Sequence, residues 1–242
     1  HPNDMYERAL QSLFDAGIIY RAVPFSDFWQ PIKYPWHVLD LMDWFFDKCN
    51  CKGKNVSVSK SAKIEGAVFL DDGVRVMDNA IIVGPAYIGK NSVIATNALV
   101  RSSHVGENCV IGFSSEIARS YIGDNVWTHA NYIGDSIIGN NVSFGSGAVT
   151  GNLRLDEKNI FVSVNGDKID SGRNKIGLIT GDNIRAGINA SFMPGVKIGS
   201  NSFVGAGIVV GQDIPEGSYV TGKWELKIRP NSEKIDPRGK SL

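Results

Sequence analysis

A chain of 242 residues with 43% hydrophobic content can bury a sizeable core, and one large domain with a smaller attachment is the expected organisation. Lysine plus arginine, 25, equals aspartate plus glutamate, 25, so the net charge of zero supplies no drive toward nucleic acid or an anionic membrane surface. Cys49, Cys51 and Cys109 form no C-x-x-C pair, no run approaches the roughly twenty apolar residues of a membrane span, and the N-terminus lacks the layout of a signal peptide. A reduced, cytoplasmic protein without a disulfide framework or zinc knuckle is the expectation.

His1 to Asp4 precede Met5 and read as a cloning remnant. Met5, Leu10, Leu13 and Phe14 recur at near-helical spacing and Gly17 follows as a stop signal, which predicts one short amphipathic helix over 5–16. A brief extended run covers Ile18 to Phe25. Pro35 then opens a second helix, whose wide apolar face (Trp36, Leu39, Met42 and Phe46 among others) is expected to cap an open end of a coil formed by the residues beyond it. The stretch Trp29-Gln-Pro-Ile-Lys-Tyr-Pro-Trp36-His-Val-Leu resembles the last segment of a sugar-1-phosphate nucleotidyltransferase domain. The Asp that this family uses near its metal is Pro31 here, and no Gly-rich nucleotide loop followed by Arg occurs near the N-terminus, so nucleotidyl transfer is not expected of this chain.

From Val58 the chain advances in sixes: Val58, Ile64, Leu70, Val76, Ile82, Ile88, Ile94, Val100. Two residues ahead of each stands a small or β-branched partner, from Val56 and Ala62 to Ser92 and Ala98. A helix of 3.6 residues per turn would walk such a stripe around its surface, whereas short strands joined by tight corners keep one face inward. The period therefore predicts a wound parallel β-coil whose stacked turns bury a continuous core. Glycine follows the inward aliphatic at Ile88-Gly89, Val105-Gly106, Ile111-Gly112, Ile122-Gly123, Ile133-Gly134 and Ile138-Gly139, where a positive φ is expected. These hexads resemble the hexapeptide-repeat family of left-handed parallel β-helices, and the hand comes from that resemblance, since ordinary parallel crossovers are right-handed.

After Val100 the register slips and resumes through Val105, Ile111, Ile117, Ile122, Ile133, Ile138 and Phe144. The hexads lapse between about Gly151 and Gly177, and within that insertion Ile160 to Val164, Asn165-Gly166 and Asp167 to Ile169 read as a hairpin. They return at Leu178 and Thr180, continue with Ile184, Phe192, Ile198, Val204 and Val210, and end near Pro215. The expected fold is all-β: a left-handed parallel β-helix over 51–223, with an insertion at about 152–176, a helical segment over 1–50 and a polar tail over 224–242.

Four histidines occur, His1, His37, His104 and His129. The first is terminal, His37 lies on the aromatic helix, and His104 precedes a register slip, where an exposed corner is expected. His129 sits in Trp127-Thr-His-Ala-Asn-Tyr132-Ile-Gly-Asp135, where polar residues replace the inward aliphatic near 128. The run His129-x-x-Tyr132-x-Gly134-Asp135, with Asn152 to Lys158, Asp170-Ser-Gly-Arg173-Asn-Lys175 and Met193-Pro-Gly-Val-Lys-Ile-Gly199, resembles the acetyltransferase half of bifunctional glucosamine-1-phosphate acetyltransferases, in their archaeal form. The resemblance covers roughly the second half of the chain.

It implies an N-acetyltransferase using acetyl-CoA on glucosamine-1-phosphate or galactosamine-1-phosphate, assembled as a homotrimer. The His of His-x-x-Tyr is catalytic in that family, which points to His129 as general base, a role an imidazole with an ordinary pKa of about 6.5 can fill. Asn152 is implied beside it, Tyr132 and Arg119 at the sugar phosphate, and Lys158 and Arg173 as phosphate ligands. Ala206, between Gly205 and Gly207, and Lys223 are implied for the coenzyme. The chain departs from the family pattern at Ala118, at Ala130-Asn131 and at Phe161. The alternative is a noncatalytic trimerisation module of a nucleotidyltransferase. A zinc enzyme on the same coil ranks last, because it needs three clustered histidines.

Overall fold

The computed structural model describes residues 4–46, 53–223, 225 and 227–231. The chain divides into two compact units, residues 1–31 and 32–242. The first carries helix α1, Met5–Asp15, which ends as the sequence predicts: Gly17 has φ +75° and its N–H donates to the Phe14 carbonyl at 2.9 Å. His1, Cys49 and Cys51 lie outside the described residues, as does most of the tail beyond 224.

The second unit is a three-sided parallel solenoid. Ser57 pairs with Arg75 and Arg75 with Val93, eighteen residues apart, so three six-residue sides complete one turn. One side runs from Ser57–Val58 through Val110–Ile111, is bridged by Trp127, and resumes from Val142–Phe144 to Tyr219–Val220. The second holds eight strands from Lys63–Glu65 to Val209–Val210, and the third seven from Val68–Leu70 to Lys197–Ile198. Ile82, Ile88, Ile94, Val100, Val105, Ile111, Ile117 and Ile122 stack inside with no exposure. This is the six-per-side parallel architecture of left-handed hexapeptide β-helices.

Two details of the coil differ from expectation. The glycines that follow the inward aliphatics do not turn the chain with positive φ; that is done two residues later, mostly by asparagines, among them Asn91, Asn108, Asn125 and Asn141. Asparagine tolerates the left-handed region through local hydrogen bonding. The glycines are needed for stacking, since a Cβ on Gly89 would lie 2.5 Å from the Gly106 carbonyl carbon and one on Gly106 2.6 Å from that of Gly123. In the last turns, Ala186 and not Ile184 takes the hexad position, paired with Phe144, while Ile184 pairs with Val142. A small residue is needed there because the Phe144 and Phe192 rings already meet edge to face, 6.2 Å apart, in the core.

Helix α2, His37–Phe46, does not close an end of the coil. It lies along the third side, because the outward residues there are a ladder of apolar and aromatic groups: Phe69, Tyr87, His104, Tyr121, Ile137 and Ile179 in register. Trp36, Leu39, Met42 and Phe46 share a second core with Ile137, Ile179 and the insertion residues Ile160, Val162 and Ile176. The insertion carries the predicted hairpin, Phe161–Val164 against Asp167–Asp170, turned by Asn165 and Gly166, both at positive φ. Burial on this outer face removes from water a stripe that would otherwise be exposed, at about 25 cal/mol per Å² of apolar surface.

Candidate functional site

Two neighbouring corners carry the polar residues. At the first, Trp127 pairs with Val110 and Ser143, and Tyr132 with Glu116 and Val149. Thr128 to Ile133 therefore spans what Ile111 to Ile117 and Phe144 to Thr150 span with one more residue. The chain can cut this corner because Gly112 has no side chain; a Cβ there would lie 2.0 Å from the Thr128 carbonyl oxygen. Thr128 is buried where Ile111 and Phe144 stand in the neighbouring turns, and Asn131 where Ser115 and Ala148 stand. The Thr128 hydroxyl accepts the Gly112 N–H at 2.9 Å and pairs with the Ser115 hydroxyl at 3.1 Å. The Asn131 amide donates to the carbonyls of Gly145 and Ala148 at 2.8 and 3.0 Å, and its oxygen accepts the His129 N–H at 2.5 Å. Every polar atom of this set has a partner, so the corner is rigid despite its polarity. His129 is exposed on it, and none of the described hydrogen bonds involves its imidazole.

At the second corner Ser102, Arg119 and Asp135 stack with φ of 47°, 48° and 48°. Asp135 is 1% exposed. Its carboxylate takes the Arg119 fork, Nε at 2.8 Å and Nη2 at 2.6 Å, and accepts from Asn152 Nδ2 at 2.5 Å. The same amide reaches the Tyr132 hydroxyl oxygen at 3.2 Å. Hydrogen bonding to Asp135 holds the Arg119 guanidinium above its ordinary pKa against the opposing effect of burial, and Tyr132 adds to the rise. Gly134 makes room for this packing: a Cβ there would stand 2.5 Å from the Tyr132 hydroxyl oxygen and 2.9 Å from Asn152 Nδ2. The insertion leaves and rejoins the coil here, with the Ile176 N–H donating to the Asn152 carbonyl at 3.1 Å.

Beside this corner opens a polar cleft of about 690 Å³, lined by Arg119, Asp135, Glu157, Asn159, Arg173 and Lys175 among others. Of the predicted residues, Arg119, Tyr132 and Asn152 thus form one cluster, and Arg173 shares the cleft. Arg173 is also committed elsewhere, since its Nη1 donates to Asp40 of helix α2 at 2.5 Å and its buried Nε has no partner among the described residues. Lys158 is exposed on the loop, and its neighbours Glu157 and Asn159 reach the cleft instead. Ala206 and Lys223 are exposed on the later coils, and a Cβ on Gly187 would lie 2.6 Å from the Ala206 nitrogen. His129 is joined to the cluster by no described contact.

Asp135 was not among the predicted site residues. Its signal emerges only with the register: Ala118 pairs with Gly134, so Arg119 and Asp135, of opposite charge, follow at the same corner one turn apart. His104 is no exposed corner. Its ring stacks between Tyr87 and Tyr121 at 5.0 and 4.7 Å, with Nδ1 3.2 Å from the Ile122 carbonyl, and burial pushes its pKa down. Among the described residues no helix is long and apolar enough to cross a membrane.

No family model matches the chain. A bifunctional protein GlmU of Methanococcus maripaludis is 40% identical over 231 residues, 91% of this chain and 53% of that protein. A bifunctional sugar-1-phosphate nucleotidylyltransferase/acetyltransferase of Sulfurisphaera tokodaii is 36% identical over 82% of this chain and 50% of its own length. The chain spans about half the length of the curated relatives it matches. The solved Arabidopsis UDP-N-acetylglucosamine acyltransferase aligns with a TM-score of 0.48 at 20% identity, over 72% of this chain and 68% of that one.

Proposed function

This chain is a homologue, over about half their length, of archaeal bifunctional sugar-1-phosphate nucleotidylyltransferase/acetyltransferases, and we propose that it transfers the acetyl group of acetyl-CoA to the amine of an amino-sugar 1-phosphate. The acceptor is glucosamine-1-phosphate or galactosamine-1-phosphate. The observation that carries the reading is the cluster of Arg119, Asp135, Asn152 and Tyr132, of which Arg119 and Asp135 line a polar cleft. A phosphorylated sugar needs a cation and several directional polar groups, and this corner has both.

His129 is the general base. Its exposed imidazole takes a proton from the sugar amine as the nitrogen attacks the thioester carbon and a C–N bond forms, and the C–S bond breaks with the leaving sulfur receiving that proton from the imidazolium to depart as CoA. The oxyanion that develops on the way requires a preplaced donor. Tyr132 and Arg119 hold the sugar phosphate, Asn152 orients the acceptor, Arg173 contributes positive charge at the cleft, and Lys158 contributes it from the exposed loop outside the cleft lining. The pantetheine arm runs along the coil at Ala206, where small residues leave space, and Lys223 meets the coenzyme phosphates.

The assembly is a homotrimer with sites completed between neighbours. Exposed apolar side chains on the coil, Phe113 at 58%, Trp127 at 52%, Ile188 at 54% and Phe203 at 52%, support such a contact and flank the His129 side of the solenoid. Thiol release from acetyl-CoA in the presence of each amino-sugar 1-phosphate tests the reading. The expected result is amine-dependent release that falls by about a hundredfold or more in His129→Ala, with the coil intact by circular dichroism. A folded protein that releases no thiol with either sugar would remove the proposal, and full activity in the variant would remove His129 from it.

A further inference from the structure

We infer that Asp135 is a positioning residue of the candidate site: its carboxylate orients the Arg119 guanidinium and the Asn152 amide, and through them decides which polar groups meet the sugar phosphate. The inference rests on the acetyl-transfer reading. It starts from a cost, because a carboxylate with 1% exposure must be fully compensated to be tolerated. Winding does not require it. Ser102 turns the same corner two coils earlier, at the same φ and without a charge.

The backbone beneath the carboxylate is fixed on both sides. The Asp135 N–H donates to the Ala118 carbonyl at 2.8 Å, and the Gly177 N–H donates to the Asp135 carbonyl at 2.7 Å. From this locked position the carboxylate, which only accepts, leaves no ambiguity about its neighbours. The Asn152 amide must turn its NH2 inward, and that group is then engaged by Asp135 Oδ2 and Tyr132 Oη. Its Oδ1 remains as an acceptor for a hydroxyl or amine of the ligand. Tyr132, accepting from Asn152, keeps its own O–H to donate to a phosphate oxygen. Arg119, forked onto Asp135 through Nε and Nη2 and interacting with Tyr132, holds its positive charge beside that hydroxyl for the same phosphate. One buried charge thus sets an acceptor, a hydroxyl donor and a cation in a fixed arrangement.

Asp135→Asn is the direct test, because asparagine is at home at positive φ and nearly isosteric, so the corner survives while the acceptor set does not. An Asn at 135 offers a single oxygen to two partners, and it frees Asn152 to flip. With the wild-type chain and both sugars, the expected outcome is a KM for the amino-sugar phosphate raised about tenfold or more, the loss of a charge-assisted set, with the KM for acetyl-CoA within about twofold of wild type. Arg119→Lys, which keeps the charge and loses the fork, is the second variant. It should move the same KM in the same direction by a smaller factor. A merely structural Asp135 would lower the melting temperature and leave both KM values alone, and that pattern, or an equal rise in both, overturns the inference while leaving acetyl transfer standing. Absence of turnover in the folded wild type overturns the acetyl-transfer reading and this inference with it.

Discussion

The first coils, from Ser57 to Val100, and the coils from Val110 to Phe192 share a frame and differ in what fills it. In the first, every turn takes eighteen residues and the inward hexad positions are aliphatic, with Ile82, Ile88 and Ile94 unexposed and Ser92 the buried polar residue among their small partners. In the second, the corner carrying His129 and the corner carrying Arg119 and Asp135 are each a residue shorter, the latter sprouts the insertion one turn on, and Thr128, Asn131 and Asp135 are buried. A solenoid in which each turn rests only on its neighbours can absorb such local departures without unwinding. The polar residues concentrate where the period breaks, and the regular turns supply the stability that lets them do so.

The sharpest way to break that contrast is in the regular part. Ile82→Ala removes a fully buried side chain from a stack that cannot collapse around the gap, and the expected loss is about 2–5 kcal/mol with little change in acetyl transfer per folded molecule. Chemical denaturation of variant and wild type, with activity assayed in parallel, checks it. A drop in turnover of folded protein comparable to that of His129→Ala would mean that the regular coils do more than support.

In the irregular part the balance should invert. Thr128→Val keeps the volume and removes the partner of the Gly112 N–H and the Ser115 hydroxyl, so about 1–3 kcal/mol of stability is expected to go. The same change loosens the corner that carries His129. Acetyl transfer should therefore fall several-fold in protein that is still folded at assay temperature. Equal turnover in Thr128→Val and wild type would show that the buried hydroxyl serves the fold alone.

The same contrast explains what could be read from the residues. The hexads from Val58 to Val100 and the Asn165-Gly166 hairpin were legible because each rests on local geometry, an aliphatic every six residues or a turn that needs two positive φ values. The role of Gly89 and Gly106 was not, since a glycine chosen for close stacking looks in sequence like one chosen for its φ. The resting place of helix α2 depends on which side residues point outward, and only the register shows Tyr121, Ile137 and Ile179 forming one apolar stripe. Tyr132 and Asn152 came from resemblance, and Asp135 needed the pairing of Ala118 with Gly134 before its ion pair could be seen. Contacts between residues one turn apart are set by corner lengths, and those vary where the site is.

The smallest expected effect lies between the two regions, on the outer ladder under helix α2. Burial lowers the pKa of His104 below its ordinary 6.5, so the folded protein keeps this ring neutral where the unfolded chain would protonate it. Below about pH 6.5 the unfolded state then binds more protons, and stability falls as pH drops through that window until the folded protein is itself protonated; above it the group makes no contribution to the slope. His104→Phe preserves the stack between Tyr87 and Tyr121, loses the contact with the Ile122 carbonyl, and should flatten the melting temperature against pH between 6.5 and 5. The carbonyl keeps the Gly106 N–H at 2.9 Å, so the loss at neutral pH should be small. If the variant's melting temperature declines with acid as steeply as wild type, the acid sensitivity belongs to another group, and the aromatic ladder is a pH-independent support for the helix.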